Sequence, residues 1–216
     1  MIDTGRLAGL LDGRVPWLSV RAAGAVPPGW VSCADVLASQ CAGGDPTAAW
    51  RETLQAQYGA QYGIEAPRQV AAMFVLMWYA GVPAFVAATA LALTGYAPAP
   101  DSLAFRRHPS QHYPDRIVLL PGSLLPAGQA AEAVRAHCAA FAESYRPGVK
   151  LSSRQRHGAV ADELRSALNR CGGGPYAGEA AELLGVGLGS AERESCCYIY
   201  ALPGASECSG CPRLRV

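Results

Sequence analysis

At 216 residues the chain is long enough to bury a core of its own without disulfide staples. Lys+Arg 18 against Asp+Glu 17 leaves a formal charge of +1, which argues against nucleic acid or an anionic membrane surface as a partner. Met1 to Leu11 has no basic cluster followed by an apolar run, so export is not expected and the cytoplasm is the expected location. In that reducing compartment the eight cysteines read as metal ligands or buried thiols rather than bridges.

Val15 to Arg21 alternates apolar and polar residues between proline and glycine signals, which predicts a short strand. Asp45-Pro46 supplies an N-cap and a first-turn proline. Trp50, Leu54, Tyr58 and Tyr62 then recur at helical spacing, as a core stripe, up to Gly63. Val70 to Leu93 carries no charge and exceeds the ~20 residues a membrane span requires. Gly81 and Pro83 interrupt it, so two consecutive buried helices are preferred, one ending near Tyr79 and one running from Pro83 to Thr94-Gly95. Membrane association is the less favoured reading.

Tyr96 to Pro114, rich in proline and histidine, is expected to be a surface connection, with Asp115 to Leu120 a second strand. His108 and His112 have the spacing of a helical metal pair, but Pro109 and Pro114 argue against a helix there. Gly128 to Tyr145 reads as a helix with Ala131, Val134, Cys138, Phe141 and Tyr145 on one face. Ser152 or Ser153 caps the next, whose inner stripe is Val160, Leu164, Leu168 and Cys171. Cys33, Cys41, Cys138 and Cys171 are read as small buried thiols. The glycines of the run 185–189 lack a phosphate-loop pattern and are expected to bring the backbone close to something just downstream. The predicted fold class is α+β, predominantly helical with a few short strands. Residues 1–189 form the main domain and 190–216 a small carboxyl-terminal metal-binding subdomain.

That ending reads RESCCYIYALPGASECSGCPRLRV, with Cys196, Cys197, Cys208 and Cys211 close together. Four thiolates are the ligand set of either zinc or an iron–sulfur cluster. Cys208 and Cys211 have the C-x-x-C spacing that turns two sulfurs onto one metal, eased by Gly210 and stiffened by Pro212. Neighbouring side chains of an extended chain point in opposite directions, so the adjacent pair Cys196 and Cys197 suits a single tetrahedral ion badly. The larger [2Fe–2S] cluster is preferred, and a zinc-stabilised binding module without redox activity is the alternative.

The Cys-Cys-x10-Cys-x2-Cys arrangement, with Arg193 and Ser195 before it and Tyr200 and Pro212 within it, resembles FhuF-like ferric-siderophore reductases. Length and the apolar helix around Trp78 and Tyr79 are also similar to that family. Two positions depart from its pattern: Ala201 stands where an arginine is usual and Arg213 where a leucine is usual. The resemblance implies an oxidoreductase holding a [2Fe–2S] cluster on Cys196, Cys197, Cys208 and Cys211. It would pass one electron to iron(III) in a siderophore, most readily of hydroxamate type. Arg193, Arg213 and Arg215 could add positive charge for partners or an anionic chelate. With no nicotinamide fingerprint or flavin site in the sequence, the electrons are expected from a ferredoxin or its reductase.

Overall fold

The computed structural model describes residues 2–208 and 210–214. It is α+β and predominantly helical, as predicted. In chain order the elements are α1 (Thr4–Leu11), β1 (Ser19–Ala22), β2 (Val31–Ser32), α2 (Cys33–Cys41), α3 (Ala48–Tyr62) and α4 (Arg68–Thr94). There follow β3 (Tyr96–Pro98), β4 (Leu103–Arg107), β5 (Pro114–Leu119), β6 (Leu124–Pro126), α5 (Ala127–Ser144), α6 (Ser153–Arg170) and α7 (Ala177–Leu184). Four strands form a sheet in the order β1-β5-β4-β2, with β1 parallel to β5 and the other pairs antiparallel; β3 and β6 pair separately.

The axis of the molecule is α4. Because its sequence is apolar on every face, the remaining elements pack around it: α6, α5, α7, α3 and α1, with strands β3 and β5. It is long and apolar enough to cross a membrane, but 83% of its most apolar window is buried inside the protein. The expected break into two helices does not occur. Pro83 sits inside one continuous helix and is itself buried. An interior proline costs about 3 kcal/mol, and the apolar surface that α4 buries on both sides of it outweighs that cost at ~25 cal/mol per Å². The expected stop at Gly95 is present, with φ 74° and its N–H bonded to the Leu91 carbonyl.

Other expectations need correction. The first strand is Ser19–Ala22 rather than 15–21, because Val15 to Leu18 closes a turn (Leu18 N to Val15 O, 3.2 Å) that leaves Trp17 at the surface. The helix after Pro46 starts at Ala48, and Asp45 does not cap it: its carboxylate takes the Arg51 guanidinium instead. Trp50 and Leu54 are buried, whereas Tyr58 and Tyr62 are only half-buried, covered from one side by Phe74 and the Leu202 loop.

The stretch 96–114 is not merely a surface connection. It contributes β3 and β4 to the two sheets, and Ala97, Leu103, Ala104 and Phe105 are buried. Its prolines fall at strand ends and turns, where a missing N–H does no harm. His108 and His112 lie in the turn after β4, where His108 Nδ1 accepts backbone N–H bonds from Ser110 and Gln111. Cys33, Cys138 and Cys171 are buried as expected, but Cys41, at the last turn of α2, is exposed. The glycines at 185–189 do not mediate a close approach: Gly185 caps α7 with φ 70°, and Gly187 has open space around it.

Candidate metal centre

After α7 the chain lies down on α6 before reaching the cysteines. Asp162 of α6, whose side chain is 3% exposed, organises this contact. It accepts from the Glu194 backbone N–H (2.7 Å), the Ser195 backbone N–H (3.0 Å) and the Ser195 hydroxyl (2.6 Å). The same carboxylate pairs with Arg165 at 3.1 Å and Arg193 at 3.4 Å. A buried carboxylate satisfied by several donors is the condition under which such a charge is tolerated. Gly158, one turn earlier, keeps the approach tight: a Cβ there would stand 3.1 Å from Glu194 Cβ. Ser195 is fully buried as a result.

Cys196 and Cys197 follow directly. Tyr198 adopts φ 61°, a left-handed conformation that is uncommon for a non-glycine residue, and turns the chain out of the extended direction. Its ring is tethered by a contact between its hydroxyl and the Gln155 amide. Gln155 in turn completes the capping box of α6 with Ser152. A short 3-10 turn over Ile199–Ala201 then leads to Leu202, buried against Ala66 and Val70. The returning strand closes the loop through the Arg193 N–H, which donates to the Gly210 carbonyl at 2.9 Å. Gly210 is required there, since a Cβ would fall 2.2 Å from the Ala191 carbonyl oxygen. The Cys211 N–H donates to the Cys208 carbonyl at 2.9 Å, making the expected C-x-x-C turn.

All four cysteines are free thiols; Cys197 and Cys211 are buried, and Cys196 and Cys208 are partly exposed. Burial raises the Cys196 pKa, and so does Cys211, while the Tyr198 backbone N–H and Arg213 oppose the shift. Burial also raises that of Cys208, as do Cys197 and Cys211, with Arg193 opposing. The sulfurs therefore interact across the loop, Cys196 with Cys211 and Cys208 with both Cys197 and Cys211. Among the described residues, no three His, Cys, Asp or Glu side chains are gathered tightly enough to hold one ion. Four thiols brought together in one loop, two of them held protonated by burial and by a neighbouring thiol, are a donor set that a cationic centre would ionise and bind.

Of the flanking arginines, Arg193 is held between Asp162, Glu163 (4.0 Å) and Met77 Sδ (3.3 Å) and is not freely solvated. Arg213 is exposed and stacks on Tyr200, its guanidinium 4.1 Å from the ring centroid, with Glu207 3.7 Å away. Arg215 lies outside the described residues. Asp162 and Glu163 were not legible as part of the site; the available signal was an Asp-Glu pair in a helix whose neighbours are buried.

A thiolate loop clamped onto a helical core by a buried carboxylate is the arrangement of a metal-binding module. Residues 193–213 match the family model of the FhuF 2Fe-2S C-terminal domain, and the four cysteines fit its motif. The match supports a [2Fe–2S] cluster as the group these cysteines hold. No curated protein and no solved structure matches the chain.

Proposed function

We propose that this protein is a cytoplasmic ferric-siderophore reductase, in which residues 190–216 form the cluster-binding subdomain and Cys196, Cys197, Cys208 and Cys211 are the ligands. The observation that carries the reading is the match of the four-cysteine loop to the FhuF 2Fe-2S domain. A bound [2Fe–2S] cluster supplies a one-electron donor. The chain's own residues supply position and access. Asp162 and Gly210 fix the loop, Leu202 and Tyr198 cover its inner side, and the partly exposed Cys196 and Cys208 leave the outer side within reach of a partner.

Hydroxamate oxygens are hard ligands suited to the small, highly charged ferric ion, so a gain of one electron weakens the complex and releases iron(II). Electrons come from an external one-electron carrier such as a ferredoxin or its reductase. The decisive experiment is the visible spectrum of anaerobically purified protein, low-temperature EPR after dithionite reduction, and titration with a ferric trihydroxamate. A red-brown protein with an S = 1/2 signal that disappears on titration is expected. A colourless protein with stoichiometric zinc would instead establish a zinc-stabilised binding module, since Zn²⁺ has no visible bands.

A further inference from the structure

A cavity of about 470 Å³ lies beside the cysteine loop, between the turn at Trp17, the middle of α4, the start of β5 and α6. It falls within the ~300–1,000 Å³ typical of small-molecule sites. Its walls are apolar and aromatic: Trp17, Met77, Trp78, Phe85 and Tyr113 among them. Trp17, 49% exposed, stands at the mouth, with Arg170 stacked over its ring at 5.3 Å. Arg193 also lines the cavity, while its charge acts on Cys208, so one side chain forms the wall between the cavity and the cysteine loop.

Glu163 lines the cavity with its side chain 17% exposed. Gly81 of α4 makes room for it, since a Cβ there would stand 3.3 Å from Glu163 Oε2. The charged groups that face Glu163 are Arg193 from the cysteine loop and Arg170 and Asp162 from its own helix; α4 presents none. Burial raises its pKa to about 7 against the pull of the two arginines, so the carboxyl is substantially protonated near neutrality. Apart from Glu163, Arg170 and Arg193 the lining is uncharged and largely apolar. Such walls suit a tris-hydroxamate complex, whose three monoanionic arms cancel the ferric charge, and make a trianionic tris-catecholate costly to strip of water.

We propose that this cavity is the docking site of the ferric hydroxamate and that Glu163 is a catalytic residue, the proton donor to the chelate oxygen that leaves the iron. The proposal rests on the reductase reading. Iron(III) gains the one electron that reading assigns to the reduced protein and becomes iron(II). The weakened Fe–O bond breaks, and the Glu163 proton passes to the freed hydroxamate oxygen. Glu163 is left as a carboxylate facing Arg193 and Arg170, and regains a proton from water at the open mouth.

The test separates docking from chemistry by using the redox-inert gallium(III) complex of a linear trihydroxamate. It should quench tryptophan fluorescence of the holoprotein, and Trp17→Ala, a change at an exposed position, should weaken its binding about tenfold or more. Glu163→Gln should bind the gallium complex within about threefold of wild type and keep the visible spectrum. It should nevertheless release iron(II) to a ferrous chelator about 100-fold more slowly, in the range of lost general acid catalysis. The wild-type release rate should fall as pH rises through about 7, and the Gln variant should show no such fall. Unchanged gallium binding in Trp17→Ala, or an unchanged rate and pH profile in Glu163→Gln, would overturn the proposal while ferric chelate still reoxidised the protein. If the ferric complex failed to reoxidise reduced wild type, the reductase reading itself would fall, and the proton-donor role with it.

Discussion

Asp162 couples the helical core to the segment that leads into the cysteines through three hydrogen bonds. Removing its carboxylate would leave two backbone N–H groups and the buried Ser195 hydroxyl without their acceptor, and would separate Arg193 and Arg165 from a shared partner. Breaking a buried charge network of this kind costs about 3–5 kcal/mol. Asp162→Ala is therefore expected to purify with little iron and acid-labile sulfide per chain and a lowered apparent thermal midpoint. Asp162→Asn, which keeps an acceptor oxygen, should fall between the two. Iron content equal to wild type in Asp162→Ala would show that the cysteine loop holds its shape without α6. Among the cysteines themselves, Cys208→Ser or Cys197→Ser should give colourless protein, read from the visible spectrum. Retained absorbance would remove that residue from the ligand set.

At the scale of elements, α4 is enclosed by contacts that its sequence shows only in part. Its length and apolar character were legible in the chargeless run from Val70, and its end in Thr94-Gly95. Its continuity through Pro83 was not, because a proline signal is local whereas the surface buried on either side of it depends on the finished packing. The same distinction holds elsewhere. A serine cap at 152 or 153 announced α6, though not its Gln155 partner, and Cys208-x-x-Cys211 announced its turn. Strand β4 was hidden, because Leu103 to Phe105 becomes a buried strand only when β5 and β2 flank it. Asp162 was silent because its partners are more than thirty residues away in sequence. The close approach expected at 185–189 occurs instead at Gly174, where the loop before α7 meets the end of α4. A Cβ at Gly174 would lie 2.2 Å from the Ala92 carbonyl oxygen and 2.7 Å from its carbon, both backbone atoms that cannot simply rotate away. The Tyr176 N–H donates to that same oxygen at 3.0 Å. Gly174→Ala should therefore destabilise by about 1–3 kcal/mol and lower the thermal midpoint without changing the visible spectrum. A midpoint equal to wild type would mean that the loop can shift freely off α4.

For the whole molecule, the buried His137 and the half-buried Glu163 give opposite pH dependences. His137 of α5 is buried, 2.9 Å from the Tyr79 hydroxyl and 3.3 Å from the exposed Asp101 carboxylate. Burial lowers its pKa despite the pull of Asp101. Below its unfolded value of about 6.5 the unfolded chain binds a proton that the folded chain resists, so this group makes stability fall as pH falls. Glu163 acts in the other sense. Its pKa rises from 4.5 to about 7, so between those values the folded chain holds the extra proton and stability falls as pH rises. At about 1.4 kcal/mol per pKa unit this contribution is at most ~3.5 kcal/mol, reached once pH passes the upper value. The two slopes oppose each other just below pH 6.5, and above it Glu163 continues to erode stability up to about 7. Apparent thermal midpoints measured at one scan rate from pH 4.5 to 8 should therefore rise less with pH below about 6.5 in His137→Gln than in wild type, with His112 left as another histidine whose pKa is lowered. Glu163→Gln should show a rise with pH up to about 6.5 and a plateau beyond it. Parallel profiles in wild type and both variants would place the proton linkage elsewhere. A selective loss of the high-pH decline in Glu163→Gln would show that the carboxyl lining the cavity is held protonated at a cost to the fold, as expected of a group whose position serves chemistry rather than packing.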